Sequence, residues 1–398
     1  MESIKDKVAI IGVGTNKKWG ELWNESLTDI ALEATQEALE DAGVEAKDIQ
    51  AAWVGGGPDT GNWLTSALKL QYIPVTKVEN ACATGAETVR GSVFGLLSKT
   101  YDLVMSVGIG KMKDEAQGGE GEGDEAGVDK YHPVTGATGI PAGRYALAAT
   151  RYFSRYGLSR QEGKHMLAMI SSKSHYNGAR NPRAMFQREV SVETCENSPI
   201  IAWPLGLFDC CAQAEGAAAA IMCRVEDAKA FRPDYITIKG IGIAVGPGMR
   251  KFHTGFDFTH WEESTAAALQ AYEQAGIKNP REELDMVECH DCFSIAEALA
   301  VESIGLCERG TIRNDVEAGT FRLDGKLPVN GSGGLKSFGH PPPASGVREM
   351  FETYRQIRGE AEYPERQLKN VELGLCHNQG GHPGRFECSV TILGIPGK

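Results

Sequence analysis

Four short strings in this sequence set nucleophilic or titratable side chains among small residues. The first is Asn80-Ala81-Cys82-Ala83-Thr84-Gly85, reached through a strand-like stretch from Val75 to Val78 and followed by a helical pattern. A cysteine at a strand-to-helix turn presents its sulfur at the positive end of a helix dipole, which favours the thiolate. Ala81, Ala83 and Gly85 leave room beside it for a substrate. The second string, His290-Asp291-Cys292-Phe293, follows a short strand and offers an imidazole and a thiol two residues apart. Such a pair suits acid/base work. The third, Gly333-Gly334-Leu335-Lys336-Ser337-Phe338-Gly339-His340-Pro341, combines glycines that permit tight turns with a proline that fixes the backbone after His340. A histidine held in that way is a candidate base for a thiol. The fourth, His377-Asn378-Gln379-Gly380-Gly381, ends a strand, and its glycine amides can face a developing oxyanion. Each string also has a plainer reading: an inert buried thiol at Cys82, core packing at His290 and Cys292, a surface loop at His340.

The elements that position these strings recur. SLTDIALEATQEALEDAGV places Leu27, Ile30, Ala31, Ala34, Ala38 and Leu39 on one helix face, with Gly43 as its cap. A short strand from Ala51 to Val54 follows. STAAALQAYEQAGI repeats the pattern with Gly276 as cap, and a strand from Met286 to Cys289 follows. The Cys82 string opens a helix (Ala86 to Ser98) and then a strand, Asp102 to Gly110. Pro343-Ala344-Ser345-Gly346 likewise opens a helix (Val347 to Ile357), and a strand from Asn370 to Asn378 comes next. Alternating strands and helices in two similar halves point to an α/β fold with a mostly parallel sheet. The expected division is 1–113 for the first part of the N-terminal half and 114–205 for a loop-rich insert. Return strands of the N-terminal half take 206–250, and the C-terminal half takes 251–398. Within the insert, Asp114 to Asp129 is acidic and Gly-rich and reads as an exposed loop. Ala142 to Tyr156 and Arg160 to Tyr176 read as helices.

Composition narrows the function classes. The formal net charge of -12 argues against general nucleic-acid binding. The N-terminus lacks the pattern of a secretory signal, and no apolar run approaches the ~18 residues that span a bilayer. The expectation is a soluble, cytoplasmic protein with no membrane association. The 10 cysteines then read as reduced thiols, and the scatter of Cys and His residues along the chain argues against a structural zinc site. Cys195, Cys210, Cys211 and Cys223 read as packing residues. Gly55-Gly56-Gly57 and Gly108-Ile109-Gly110 complete neither a P-loop nor a dinucleotide fingerprint and are read as turns.

Taken together, NACATG around Cys82, HDCF at His290 to Phe293, GHP at Gly339 to Pro341 and HNQGG at His377 to Gly381 resemble the thiolase superfamily. The stretches Ala142 to Gly157 and Asn181 to Cys211 resemble its sterol-carrier-protein-type branch. The resemblance implies the thiolase fold, two duplicated βαβαβ halves in a five-layered α-β-α-β-α arrangement with a loop-rich insert. It implies an acyltransferase that cleaves a 3-oxoacyl-CoA, or runs the reverse Claisen condensation, with coenzyme A as substrate and no metal. Cys82 matches the acylated nucleophile and His340 the histidine that activates it. Many relatives carry a second cysteine in a C-terminal CxG motif, and Asn378 stands there, which assigns proton transfer to Cys292. His290 matches a position that holds an oxyanion-hole water. The implied oxyanion-hole residues are Cys82, His290, His340, Asn378 and Gly380. The implied partners are a second copy of the chain and a small zinc-ribbon/OB-fold subunit. Two positions depart from the family pattern: Pro341-Pro342-Pro343, read as favouring a bulky or aromatic acyl group such as benzoylsuccinyl-CoA, and Glu215, where Asp is common. A biosynthetic acetoacetyl-CoA thiolase, a thiolase-fold retro-aldolase and a non-catalytic acyl-CoA-binding subunit stand as alternatives.

Overall fold

The computed structural model describes residues 3–57, 59–70, 72–113, 140–246 and 256–398, so the acidic loop expected at Asp114 to Asp129 lies outside the described residues. Strands β1 (Val8–Thr15), β2 (Ala51–Gly55), β3 (Val75–Val78), β4 (Leu103–Gly110), β5 (Gly216–Arg224), β6 (Ile236–Val245), β7 (Met286–Cys289), β8 (Leu373–His382) and β9 (Arg385–Gly394) join in one sheet. Their order is β3-β2-β4-β5-β1-β6-β9-β8-β7, and only the β2–β3, β2–β4 and β7–β8 pairs are parallel, so the sheet is mixed rather than mostly parallel as expected. The longer helices are α1 (Leu27–Ala42), α2 (Thr60–Leu68), α3 (Thr84–Leu97), α4 (Pro141–Arg155), α5 (Arg160–Gly178), α6 (Glu262–Ala275), α7 (Ser294–Ser303) and α8 (Pro342–Ile357). None of the helices in the described residues is long and apolar enough to cross a membrane.

Strand alternation explains the layers. Along β1, Val8 and Ile10 face a core shared with Val89 and Val93 of α3 and Val347 and Met350 of α8. Ala9 and Ile11 face the opposite core, with Ile30, Ala34 and Ala38 of α1. In the second half, Leu375 of β8 and Val390 of β9 face Ala267 and Ala271 of α6. Cys376 and Leu393 face the α3–α8 core. Helices therefore cover both outer faces, and α3 and α8 fill the space between the halves, the five-layered thiolase arrangement. β6, grouped above with the first half, has two register partners on β1, Ala9↔Thr237 and Ile10↔Ile236. Along most of its length it pairs with β9, from Glu387↔Val245 to Gly394↔Thr237, so it joins the two halves into one ladder.

The duplicated caps are present. Ser26 accepts a hydrogen bond from the Asp29 amide at the start of α1, and Gly43 closes it at φ 68°. Gly276 closes α6 at φ 81°. One boundary moved. α8 starts at Pro342 rather than Val347, because proline is tolerated in a first helical turn, where its missing N–H has no helical partner to lose. Pro341 and Pro343 instead lie against Gly110 and Gly108 of β4. The proline run thus packs against β4 and starts α8. Glu215 is fully buried, paired with Lys111 at 3.2 Å and accepting from the Leu22 amide at 2.7 Å, so it ties β4 to the N-terminal segment.

The crossing of α3 and α8 leaves no room for a side chain. A Cβ on Gly346 would collide with Asn378 Oδ1 and lie 2.6 Å from the Ala86 amide nitrogen. Gly346→Val should therefore lower stability by about 1–3 kcal/mol through overpacking. Urea unfolding reads this directly, and an unchanged midpoint would show that the crossing has slack.

Candidate active site

The strings found in the sequence meet at the carboxyl ends of parallel strands, where open α/β sheets place ligands. Cys82 follows β3, the 290–293 string follows β7, and the 377–381 string is the end of β8. Ala81 adopts φ 48°, a strained left-handed conformation for a residue with a side chain. The turn is held by Thr84 Oγ1, which accepts from the Asn80 amide at 2.8 Å, and by Glu79, which accepts from the Ala81 amide at 2.7 Å. It presents the half-exposed Cys82 two residues ahead of α3. His340 stands two residues ahead of α8, the corresponding helix of the second half.

The Cys82 sulfur and one nitrogen each of His290 and His340 lie within 4.8 Å of one another. Among the described residues these three form the one group of His, Cys and carboxylate ligands close enough to hold a metal ion. The hydrogen bonds favour a different use. Ser345 Oγ donates to the Pro341 carbonyl at 3.2 Å and lies 2.7 Å from His340 Nδ1. With its proton so engaged, the hydroxyl accepts from Nδ1–H, which leaves the lone pair on Nε2. That Nε2 is buried and has no hydrogen-bond partner. Burial lowers the His340 pKa to about 4, with Asp291 opposing, so the ring is a neutral base at pH 7. The His290 and His340 rings meet edge to face with centroids 5.1 Å apart. Burial, then His340 and His377, hold His290 well below the usual histidine range.

Cys292 is buried, and burial pushes its thiol well above the ordinary value. Behind it, Asp291 pairs with Lys336 at 3.2 Å and accepts from the Leu335 amide at 2.5 Å. This pair ties the 290–293 and 333–341 loops together. Burial disfavours the Lys336 ammonium, but Asp291 and Glu297 outweigh it and keep the lysine charged. The segment from Cys210 to Gln213 runs across both loops as a strap. The Cys211 amide donates to the Cys292 carbonyl at 2.8 Å, and the His340 amide donates to the Ala212 carbonyl at 2.9 Å. Beside the strap is a mainly apolar cavity of about 510 Å³, lined by His175, Phe186, Leu207, Phe208, Cys211 and Ala212 among others.

Gly380 and Asn378 part ways. A Cβ on Gly380 would run into the Asn80 carbonyl and lie 3.2 Å from the Ala83 amide nitrogen, so this backbone abuts the Cys82 turn. The Asn378 side chain points into the inner helix layer beside Gly346, with Nδ2 donating to the His377 carbonyl at 3.4 Å. Sequence reasoning missed Tyr145 of α4. Its buried ring stacks on Phe293 at 4.5 Å between centroids, and its hydroxyl accepts from Gln379 Nε2 at 2.9 Å. Its one sequence signal was its place in the Ala142 to Gly157 stretch.

The family model described as "Thiolase, N-terminal domain" matches residues 11–226, and the one described as "Thiolase C-terminal domain-like" matches residues 248–394. The chain is 37% identical over 385 residues to the acetyl-CoA acetyltransferase of Methanothermobacter thermautotrophicus, covering 95% of this chain and 97% of that protein. It is 32% identical over 390 residues to the benzoylsuccinyl-CoA thiolase subunit BbsB of Thauera aromatica, covering 95% and 96%. Among solved structures it matches the "Ltp2-ChsH2(DUF35) aldolase" with a TM-score of 0.85 over 100% of both chains. At 23% identity that likeness is one of fold.

The buried imidazoles give the protein a predictable response to acid. His175, His340 and His377 are held by burial at about 4, and His290 lies well below its ordinary value. In the unfolded chain each titrates near 6.5. Unfolding at about pH 5 therefore takes up roughly three protons or more. Their contribution to stability is fully present above about pH 6.5 and is lost as the pH falls toward about 4. Urea midpoints measured at neutral and mildly acid pH should show this fall. An equal or higher midpoint in acid would contradict the neutral imidazole assignment.

Proposed function

The chain belongs to the thiolase family, acyltransferases that work on CoA thioesters, and from that premise we propose that it is a CoA-dependent thiolase acting on a 3-oxoacyl-CoA through an acyl group on Cys82. The observation that carries this reading is the cluster of the Cys82 sulfur with two buried neutral imidazoles, His340 having a free Nε2 lone pair. Those three groups then act as nucleophile, base and hydrogen-bond donor rather than as metal ligands. His340 Nε2 takes the Cys82 proton, and the thiolate attacks the 3-keto carbon. The resulting oxyanion is stabilised by nearby N–H donors, for which the Cys82 and Gly380 amides are the proposed pair. Collapse breaks the bond between the α and β carbons and expels the enolate of acetyl-CoA, whose oxygen His290 and His340 stabilise. Cys292 protonates the enolate carbon and becomes a thiolate. That thiolate takes the proton of incoming CoA, whose sulfur attacks the acyl-Cys82 thioester. Cys82 leaves and recovers its proton from His340. Asn378, turned into the inner helix layer, supports the geometry and makes no contact in this scheme.

For the acyl group, we propose a bulky substituent on the 3-oxoacyl chain, supported by the cavity of about 510 Å³ beside the strap that holds Cys292 and His340. Ligand pockets commonly span about 300–1,000 Å³. For the assembly, we propose a homodimer with a small additional subunit. Among the described residues β3 is an edge strand paired only with β2, which leaves a ladder open for a second copy. The pairing of Ltp2 with ChsH2(DUF35) in the aldolase of like fold supports the added subunit.

Incubation of Cys82→Ala with an acyl-CoA should yield no acyl-enzyme by mass spectrometry and no thiolysis. Retained turnover would favour an aldolase without a covalent step. Cys292→Ala should still accept an acyl group on Cys82, yet lose overall thiolysis by about 10²–10⁴-fold, the usual contribution of a general acid/base. Light scattering should give a mass at least twice that of the 42.9 kDa chain. A monomer at all working concentrations would remove the proposed dimer.

A further inference from the structure

The proposed chemistry needs Cys292 as a thiolate, yet its surroundings oppose one. Burial is the largest obstacle, the neighbouring Cys82 and Asp291 also disfavour the thiolate, and Tyr145 and Lys336 stand on the other side of the balance. Cys211 also faces it from the strap. Lys336 is already committed to Asp291. Tyr145 is therefore the group left to stabilise the thiolate directly.

Its placement suits that task. The ring is fixed on four sides: it is 2% exposed, stacked on Phe293 at 4.5 Å, edge-on to Trp261 at 6.1 Å and tilted against Phe386 at 6.3 Å. Gln379 Nε2 donates to the Tyr145 oxygen at 2.9 Å. That bond occupies a lone pair and leaves the phenolic hydrogen to be donated elsewhere. The Tyr145 hydroxyl is within hydrogen-bonding reach of the Cys292 sulfur. The phenol itself stays protonated, because burial drives its ionisation far above the ordinary value.

Resting on the reading of Cys292 as the acid/base residue, we infer that Tyr145 and Gln379 form a donor relay, Gln379 N–H to Tyr145 O–H to Cys292 S⁻, that makes the thiolate available for proton transfer at the α-carbon. In the exchange step the thiolate takes a proton from the α-carbon of acetyl-CoA, giving an enolate and a thiol, and the reverse step in D₂O returns a deuteron. Tyr145 gives up no proton. It is a positioning residue acting through Cys292.

The test is deuterium incorporation into acetyl-CoA, followed by mass spectrometry across the neutral and alkaline range, alongside the rate of Cys82 acylation. Tyr145→Phe keeps the ring packing and removes the donor. It should move the rising limb of the exchange profile upward by about one to two pH units, the worth of a hydrogen bond to a charged group. Exchange at neutral pH then falls by roughly tenfold or more, much further than acylation does. Gln379→Ala should move the limb in the same direction by a smaller amount. A role in packing alone would lower both half-reactions together and leave the limb in place, and that result overturns the relay. Cys292→Ala separates the two readings. If it abolishes exchange while Tyr145→Phe leaves the limb unmoved, the relay alone is wrong. If exchange survives in Cys292→Ala, both the relay and the assignment of Cys292 are wrong.

Discussion

Two helices from different halves of the chain, α3 and α8, approach so closely at Gly85 and Gly346 that a side chain at either position would meet the backbone of the other helix. Everything at the site inherits its position from that approach. Cys82 and His340 each stand two residues before their helix, so the same crossing sets the distance between nucleophile and base. Duplication supplies the symmetry, and the two helix starts then diverge in chemistry. One carries a thiol on a strained turn, the other an imidazole oriented by Ser345.

Burial sets the electrostatics of this arrangement. A dry site keeps His290 and His340 neutral and thus able to accept or donate without first losing a proton to water. The same dryness opposes a thiolate at Cys292. A buried, charged Asp291–Lys336 pair holds the two loops in register while contributing little net field, because its charges are close and opposed.

Much of this was legible in the sequence because the elements follow local rules. The glycine caps at Gly43 and Gly276, the strand end at Cys289, and the paired helices after Cys82 and His340 all depend on residues within a few positions of one another, whereas β8 runs past the expected end at Asn378 to His382. Features set by contacts distant along the chain were not legible. Tyr145 reads as one more apolar position on an amphipathic helix, and its partner Gln379 lies 234 residues away. Cys210 and Cys211 read as packing residues, since backbone hydrogen bonds to distant loops leave no mark on side-chain type. The direction of Asn378 depends on which face of β8 meets α8, a matter of register. The proline run looked like a substrate feature because its neighbours Gly108 and Gly110 could only be identified in space.

The insert therefore belongs to the site rather than lying over it. In the proposed scheme the duplicated core supplies the thiol and imidazole that form and release a thioester, and the acidity of the third group, Cys292, is adjusted from α4 of the insert, whose Tyr145 packs on Phe293 and accepts from Gln379. A fold built in this way can change its reaction by changing the insert while leaving the two helix starts alone. In the proposed scheme the thiol at position 82 carries the acyl group and the buried thiol at position 292 moves the proton. The side chain that adjusts the second comes from the part of the sequence with the least internal symmetry.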